Sequence, residues 1–321
     1  MATKSAKLAS EYRFATGLTF EKSCFVGRRF QEKLGYAGTP NRESWACTIV
    51  PDGSDDYTIS LVRGTLDDLT GMFLSASNKL YACTTRDIWM NGSIFAAKAK
   101  QSAGWEILDM QGVALKGMAG VDDKNIFCWG TITQFNRLFR YDGRYWLDAP
   151  EPPFEITALH AATADVAYAV GPRGEIGRLD SAGWAQVESP VTERLTGVFL
   201  AGPDEIYAVG EKGSILQGSS RTWKKIGEGP GALYCVAKFK DVLYVGAGPL
   251  GMARRVGQTD RFDLFKPNIH AMDFDCRDEL VIAMDNAIVG TRDNQEFTGT
   301  AFDSVLERTA GKPLAFWEKG A

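Results

Sequence analysis

The stretch "EIYAVGEKGSI", Glu205 to Ile215, joins two apolar runs through a turn that is bounded by glycines. Each run suits a β-strand, and Gly-Glu-Lys-Gly suits the tight connection between two antiparallel strands. The same order of residue types occurs earlier in "VAYAVGPRGEI", Val166 to Ile176. Because two such hairpins about forty residues apart indicate a repeat, the fold depends on how far this similarity extends.

A four-residue pattern recurs along the chain at intervals of 36 to 46 residues. Its first and fourth positions are aliphatic, and its third is Gly, Ala or Cys. A strand with this pattern is buried on both faces where space is limited, as expected for the innermost strand beside a central axis. The pattern starts at Leu69, Leu115, Ile156, Leu195, Leu233 and Ile269.

Three further strands follow each copy of this pattern. The second is an apolar run such as Ile206-Tyr207-Ala208, the third is weaker, and the fourth is marked by an aromatic residue. These aromatics are Trp105, Trp146, Trp184, Trp223, Phe262 and Phe297. Four short strands in a unit of about forty residues are typical of a β-propeller blade. We therefore predict an all-β, seven-bladed β-propeller with four antiparallel strands per blade.

The predicted blade count depends on how the ring closes. Residues 69–298 account for six blades, and residues 44–63 and 299–318 supply the strands of a composite seventh blade. Joining both ends of the chain in one sheet leaves no open edge in the ring. Residues 44–321 are then one propeller domain, and residues 1–43 are an N-terminal extension packed on it. Six blades plus a separate N-terminal element is the alternative.

Composition limits the classes of function. The net charge is -4, apolar residues make up 45% and charged residues 24%, which is typical of a globular protein. A nucleic-acid binder needs a concentrated basic stripe, and a membrane helix needs about 20 apolar residues. We predict no nucleic-acid partner, no membrane insertion and a cytoplasmic location. The six cysteines lack the close spacing of zinc or redox motifs, so we expect free thiols in a reducing compartment.

Three segments resemble the Asp-box repeats of bacterial-neuraminidase-type propellers. They are "FRYDGRYW" (139–146), "RLDSAGW" (178–184) and "GSSRTW" (218–223), although the last has no Asp at the turn. "YAVGPRGEI" and "YAVGEKGSI" resemble the repeats of photosystem-assembly-factor-like propellers. The resemblance covers about 230 residues and implies the fold; because these groups include glycosidases, glycan binders and assembly factors, it does not imply one activity.

No contiguous motif indicates catalysis, a metal or a cofactor. With only His160 and His270, a Ser-His-Asp triad or a multi-histidine metal site has few members, and we expect both to be structural. "GAGPLG" (246–251) lacks the Gly-Lys-Ser/Thr ending of a phosphate loop, so it is predicted to be a wide turn. "DFDCRDE" (273–279) lacks the spacing of a calcium loop and is predicted to be a solvated loop. We predict no catalytic residue, no metal and no cofactor.

One rim of the ring is the predicted docking surface. Loops leading into the first strands and loops joining second to third strands lie on the same face of a propeller. These loops carry apolar anchors near charged residues, an arrangement typical of protein-binding surfaces. Phe154 has the alternative of lying beneath its own loop. The predicted partner-binding residues are Arg86, Phe135, Phe154, Arg173, Lys212, Pro249 and Leu250.

A second candidate surface lies outside the repeats. In "CFVGRRFQEKLGY" (24–36), Arg28, Arg29 and Phe30 are predicted to lie on a short helix or an extended arm on the ring. The alternative is a cap that covers an exposed blade edge.

The leading functional prediction is a non-catalytic protein-binding propeller with an accessory role. Such roles include a bacterial assembly factor, an adaptor or a toxin-neutralising immunity protein. The alternative is a carbohydrate-binding or sialidase-like glycoside hydrolase propeller. The two differ in one feature, because the alternative needs several arginines and carboxylates that converge in the central depression.

Overall fold

The computed structural model describes residues 8–31, 34, 43–51, 57–94 and 104–301. Within these residues the chain forms seven four-stranded antiparallel sheets. The innermost strands contact one another in sequence around a closed circle, and the last contacts the first. The predicted all-β propeller with seven blades and four antiparallel strands per blade is therefore confirmed.

Each blade is one continuous stretch of chain, with strands that run in chain order from the centre outward. Blades 1 to 4 contain β1 (Leu8–Gly17), β2 (Ser23–Gln31), β3 (Glu43–Pro51), β4 (Tyr57–Thr65), β5 (Leu69–Leu74), β6 (Lys79–Thr84), β7 (Asp87–Ser93), β8 (Glu106–Asp109), β9 (Ala114–Asp122), β10 (Asn125–Ile132), β11 (Phe135–Tyr141), β12 (Trp146–Asp148), β13 (Ala158–Ala161), β14 (Ala167–Val170), β15 (Ile176–Asp180) and β16 (Gly183–Val187). Blades 5 to 7 contain β17 (Leu195–Gly202), β18 (Glu205–Gly210), β19 (Ser214–Gly218), β20 (Trp223–Glu228), β21 (Cys235–Phe239), β22 (Val242–Gly246), β23 (Met252–Arg255), β24 (Phe262–Lys266), β25 (Ala271–Cys276), β26 (Leu280–Met284), β27 (Ala287–Thr291) and β28 (Thr298–Ala301). A single 3-10 turn, Gly248–Leu250, is the helical element of the described residues.

The repeat pattern has a direct structural meaning. All six aliphatic residues at its first position are buried beside the start of an innermost strand. The small residue at its third position makes room for a neighbour: a Cβ on Gly117 would come within 2.2 Å of the Trp129 ring. Burial of these aliphatic side chains, about 1.5–3 kcal/mol each, stabilises the six blades that carry the pattern.

Two of the three threonines at the second position connect neighbouring blades. Thr157 of blade 4 donates a hydrogen bond to the carbonyl oxygen of Leu195 in blade 5, at 2.6 Å. Thr196 of blade 5 makes the same bond to Leu233 in blade 6, also at 2.6 Å. Because these carbonyls lie at the start of an innermost strand, on the edge that has no strand partner, the hydroxyls satisfy acceptors that would otherwise require water.

Ring closure differs from the prediction. The seventh blade is not composite, because β1 to β4 form one sheet from residues 8–65. Residues 298–301 form the outermost strand of blade 7, and residues 302–318 lie outside the described part of the chain. Side chains close the ring instead: Val281 and Ile288 of blade 7 pack with Phe25 and Trp45 of blade 1. The expected sheet shared by both ends is wrong.

The predicted N-terminal extension is also wrong for the described residues. Residues 8–31 form β1 and β2, the two inner strands of blade 1, so they are neither an appended segment nor a short helix. β1 is irregular, since its pairing with β2 skips Arg13 and Phe14 between Tyr12 and Ala15. This bulge explains why blade 1 lacks the sequence pattern of the other six blades.

Candidate functional site

The upper face of the propeller carries most of the predicted docking residues. We define it by the loops that lead into the innermost strands and the turns that join second to third strands, which antiparallel pairing places at one end of every blade. Phe135 is 51% exposed and Leu250 is 49% exposed on this face. Pro249 and Lys212 are exposed as well. The fold therefore brings four residues from three blades onto one surface.

Two predicted arginines of this face are held by neighbouring carboxylates. The Arg86 guanidinium lies 2.7 Å from Asp67, and the Arg173 guanidinium lies 2.8 Å from Glu175. Burial acts to raise the pKa of Glu175, but the side-chain and backbone hydrogen bonds of Arg173 outweigh it and lower that pKa. Because both arginines stay largely exposed, they are oriented by their pairs and remain open to a partner.

Phe154 is not an anchor on this surface. Only 3% of it is exposed, and its ring meets Trp184 edge-on with centroids 6.4 Å apart. Gly171 and Gly177 provide the space that the ring occupies, since a Cβ on either would contact it. The residue belongs to the core between blades 3 and 4, so the alternative of a side chain beneath its own loop is correct.

Two exposed apolar residues of the upper face were missed. Tyr234 is 36% exposed and its ring lies against Gly248, beside the turn that carries Leu250. Leu66 is 54% exposed in the loop before β5. A signal for Tyr234 was present, because it occupies the second repeat position, where Thr157 and Thr196 form blade contacts. Leu66 has no equivalent in the repeat pattern, so the pattern did not indicate that it would be exposed.

The second predicted surface lies within a sheet. Arg29 is buried and forms an ion pair with Glu43 on the adjacent strand β3. Arg28 is largely buried and donates to the Leu69 carbonyl oxygen of blade 2 at 3.3 Å. The side chain of Phe30 is outside the described residues. Both arginines therefore stabilise blade 1 and its junction with blade 2, and they lie on a strand of the ring instead of on a helix or an arm outside it.

The centre of the ring contains a cavity of about 510 Å³ lined by all seven innermost strands. The segment 273–279 was predicted to be a solvated loop. Its residues 273–276 belong instead to strand β25, in the wall between blades 7 and 1, and residues 277–279 form the turn that follows. Asp273 accepts a hydrogen bond from the Ala15 N–H at 3.1 Å. Asp275 accepts from the Gly17 N–H at 3.0 Å and from the Thr16 hydroxyl at 2.9 Å. These carboxylates join the last blade to the first.

Arg277 completes this junction. Its Nη2 lies 2.6 Å from Asp275 and 3.0 Å from the Thr16 hydroxyl, and its Nη1 donates to the Leu74 carbonyl oxygen of blade 2. One guanidinium thus connects three blades. Burial, with a smaller contribution from Asp275, raises the pKa of Asp273 to about 7, although the Ala15 N–H opposes the shift.

The two histidines have separate environments. His160 lies in the channel wall, where its Nδ1 accepts a hydrogen bond from the Leu200 N–H at 3.3 Å and its ring lies 4.9 Å from that of Phe199. Burial lowers the pKa of His160 to about 4, so the ring is neutral at neutral pH. His270 Nδ1 is 3.6 Å from Asp285 on the upper face. The structural role expected of His160 agrees with these contacts.

Metal-binding geometry is not found in the described ranges. No three His, Cys, Asp or Glu side chains converge there. Cys24, Cys47, Cys83, Cys128 and Cys235 are buried free thiols, and burial raises the pKa of Cys24 to about 12. Within the same ranges, no helix is long and apolar enough to cross a bilayer.

No family model and no curated protein matches this chain. Solved structures are similar in fold. The WD40 β-propeller domain of Doa1 has a TM-score of 0.67 at 7% identity, covering 87% of this chain and 91% of that chain. YCF48 bound to D1 peptide has a TM-score of 0.54 at 13% identity, covering 73% and 81%. YCF48 from Cyanidioschyzon merolae has a TM-score of 0.53 at 12% identity, covering 73% and 85%.

At these identities the similarity establishes the fold alone. The expected likeness to assembly-factor-like propellers is confirmed at that level by the YCF48 structures. The Asp-box resemblance has no matching family model. The resemblance is limited to the shape of the turns. In one of them, Asp142 accepts a hydrogen bond from the Arg144 N–H at 2.8 Å and Gly143 has a φ of 96°.

Proposed function

We propose that this chain is a non-catalytic, protein-binding β-propeller that docks its partner on the upper face. The observation that carries the proposal is the exposure of Phe135, Leu250, Tyr234 and Leu66 on loops of that one face, among oriented charges. Exposed apolar and aromatic residues surrounded by polar ones are characteristic of protein-binding surfaces. YCF48, which has a similar fold, is bound to a D1 peptide in its structure and so gives a precedent.

The finer role follows the sequence prediction. We propose an accessory protein of the bacterial cytoplasm, acting as an assembly factor, an adaptor or a toxin-neutralising immunity protein. Backbone hydrogen bonds such as that from the Met110 N–H to the Arg86 carbonyl oxygen hold loops of the upper face in place, and a preorganised surface reduces the entropic cost of binding. Proteins encoded beside the gene are the first partners to test.

The docking face is tested by affinity capture with variants of the full chain. Phe135→Ala, Arg173→Glu and Leu250→Asp are each expected to lose the specific partner. The matched control is Leu264→Asp, because Leu264 is 53% exposed on the outer strand of the same blade as Leu250. Retention of every partner by all three variants, with unchanged circular dichroism, would reject the upper face.

The glycosidase alternative receives less support from the channel. Such a site needs arginines for a substrate carboxylate and two carboxyl groups at either side of the scissile bond. The arginine in the described part of the channel wall is Arg277. Its guanidinium is bound by the Asp275 carboxylate, the Thr16 hydroxyl and the Leu74 carbonyl oxygen. Hydrolysis of common sialosides by the purified chain, lost in Asp273→Asn, would favour this alternative over the proposed function.

A further inference from the structure

Blades 2 and 3 form a continuous sector of the upper face. The Met110 N–H donates to the Arg86 carbonyl oxygen at 2.9 Å, which fixes the loop between the blades against the blade 2 turn. On the far side, the Asn136 side chain donates to the Pro152 carbonyl oxygen at 3.3 Å. We call this region the acidic sector; it comprises Leu66, Asp67, Asp87, Asp109, Phe135, Asp148 and Glu151.

Two carboxylates of the acidic sector oppose each other directly. Asp87 on β7 and Asp109 on β8 are paired residues of neighbouring antiparallel strands. Like charges at such a pair destabilise a sheet. Burial of Asp87, followed by the charges of Asp109 and Asp67, raises the pKa of Asp87. The folded protein thus keeps an unfavourable arrangement at a surface position where an Asn or Ser would have avoided it.

The charges of Arg86 and Arg63 oppose this shift without cancelling it, since the pKa of Asp87 stays raised. Arg86 places both Nε and Nη2 on the same oxygen of Asp67, at 3.2 and 2.7 Å. Lys116 of blade 3 lies 2.8 Å from Glu155. Asp109, Asp148 and Glu151 are exposed, so the sector has a negative potential.

Apolar side chains stand within this negative field. Leu66, directly before Asp67, is 54% exposed, and Phe135 is 51% exposed on the blade 3 turn. About half of each residue is therefore left uncovered by the described residues. A partner suited to this sector must bring positive charge and apolar contact together.

We propose that the acidic sector docks a segment of a protein partner that is rich in Lys and Arg and carries apolar side chains. The inference rests on the proposed function and names the chemistry of the partner. A cation placed beside Asp87 and Asp109 relieves their repulsion, and the apolar residues cover Leu66 and Phe135. Nucleic acid does not fit, because its phosphates would be repelled by the same carboxylates.

The test uses two short synthetic peptides with leucines at the same positions and either lysine or glutamate between them. Binding to the full chain is measured by fluorescence anisotropy at low and at physiological ionic strength. We expect the lysine peptide to bind and the glutamate peptide not to bind. The double variant Asp87→Asn/Asp109→Asn is expected to weaken binding about tenfold and to reduce its salt dependence.

The matched control removes two carboxylates from the opposite, lower face. Asp165 and Asp278 are exposed in turns between first and second strands, so Asp165→Asn/Asp278→Asn changes the net charge by the same amount. We expect this control to bind the lysine peptide as the parent chain does. Equal weakening in both double variants, or binding of the glutamate peptide, would overturn the inference.

A thermal melt separates folding from binding. Asp87→Asn/Asp109→Asn is expected to melt at a higher temperature than the parent chain, because the repulsion between β7 and β8 is removed. A protein that is more stable and yet binds less tightly has not lost its site by unfolding. If Leu250→Asp abolishes capture of the partner while the acidic-sector variants leave peptide binding unchanged, the proposed function stands and this inference fails.

Discussion

The Asp275 carboxylate of the last blade lies 3.0 Å from the backbone nitrogen of Gly17 in the first blade. Gly17 ends an innermost strand whose inner edge has no strand partner, so its N–H needs an acceptor from elsewhere. The same arrangement occurs at other junctions: Thr16 accepts from the Leu74 N–H, and His160 accepts from the Leu200 N–H. Side chains of one blade thus satisfy the free inner edge of the next.

Replacing Asp275 with Ala should destabilise the ring at this junction. The change leaves the Gly17 N–H without its acceptor and the Arg277 guanidinium without its carboxylate, and loss of hydrogen bonds to a charged group costs about 1.5–3 kcal/mol. Urea denaturation monitored by tryptophan fluorescence measures the loss. Asp278→Ala, which alters an exposed neighbour, is the control and should change stability little. Equal midpoints for the two variants would contradict a closing role for Asp275.

Asp273 should make the stability of the protein depend on pH. Its folded-state pKa of about 7 lies above its ordinary value, so the folded protein holds a proton that the unfolded chain has released. The contribution of Asp273 to the free energy of unfolding is therefore present at low pH and is lost as the pH rises from about 4 to about 7. Urea unfolding at pH 5 and at pH 8 gives the free energy of unfolding of Asp273→Asn and of the parent chain. From pH 5 to pH 8 the difference between the two proteins should change by about 1–3 kcal/mol in favour of Asp273→Asn. A constant difference between the two proteins would disprove the buried carboxyl.

His160 should act in the opposite direction. Its pKa is lowered to about 4, so its contribution to stability is complete above its ordinary pKa and is lost as the pH falls from about 6.5 towards 4. His160→Phe removes both the titration and the acceptor of the Leu200 N–H. At pH 7.5 this variant should be less stable by about 1–2 kcal/mol, and the difference should shrink at pH 5. Melting curves at both pH values test this, and a gap that widens in acid would argue against a neutral His160.

Gly117→Ala should test how closely the blades approach each other. The new Cβ would lie within 2.2 Å of the Trp129 ring and force it out of its place in the core. Overpacking of this kind costs about 1–3 kcal/mol. Gly104→Ala is the matched control, since a Cβ there meets nothing within 4 Å. Chemical denaturation of both variants should show a loss for Gly117→Ala alone.

The repeat pattern predicted six blades and the ring because its physical cause is local. Aliphatic residues such as Leu69 and Leu195 recur where the blades crowd around the axis, and aromatic residues such as Trp223 recur at the start of the outermost strands. The period and residue types of the repeat therefore reflect packing directly. Blade 1 could not be aligned with them. Its inner strand carries a bulge at Arg13 and Phe14, which shifts the alternation of buried and exposed residues.

The carboxylates of the closing junction were missed for a similar reason. In blade 7 the pairing of β25 with β26 skips Met272, the fourth residue of the pattern, whereas in blades 2 and 5 the pairing skips the second residue, Thr70 or Thr196. Asp273 therefore occupies the level that Met72 holds in blade 2, and its acidic neighbours enter the channel wall. An acidic run in sequence gives no indication of such a shift, and hydrophilicity alone suggested a loop.

The upper face was predictable only in part. Phe135 and Leu250 are exposed, as their turns suggested, because the second and third strands end there. Phe154 is buried because the chain before β13 folds inward over Gly171 and Gly177, a contact between segments that are distant in the repeat. Exposure of a loop residue depends on such tertiary neighbours, which local sequence does not encode.

Since each sheet is built from one uninterrupted stretch, the junction between blades 7 and 1 has the same strand order as the other six and differs only in covalent continuity. The position at which the ring is cut is thus independent of its architecture. A circular permutant that links Ala301 to Leu8 and opens the loop between Asp148 and Ala158 would keep every blade intact and move the covalent break to the junction between blades 3 and 4.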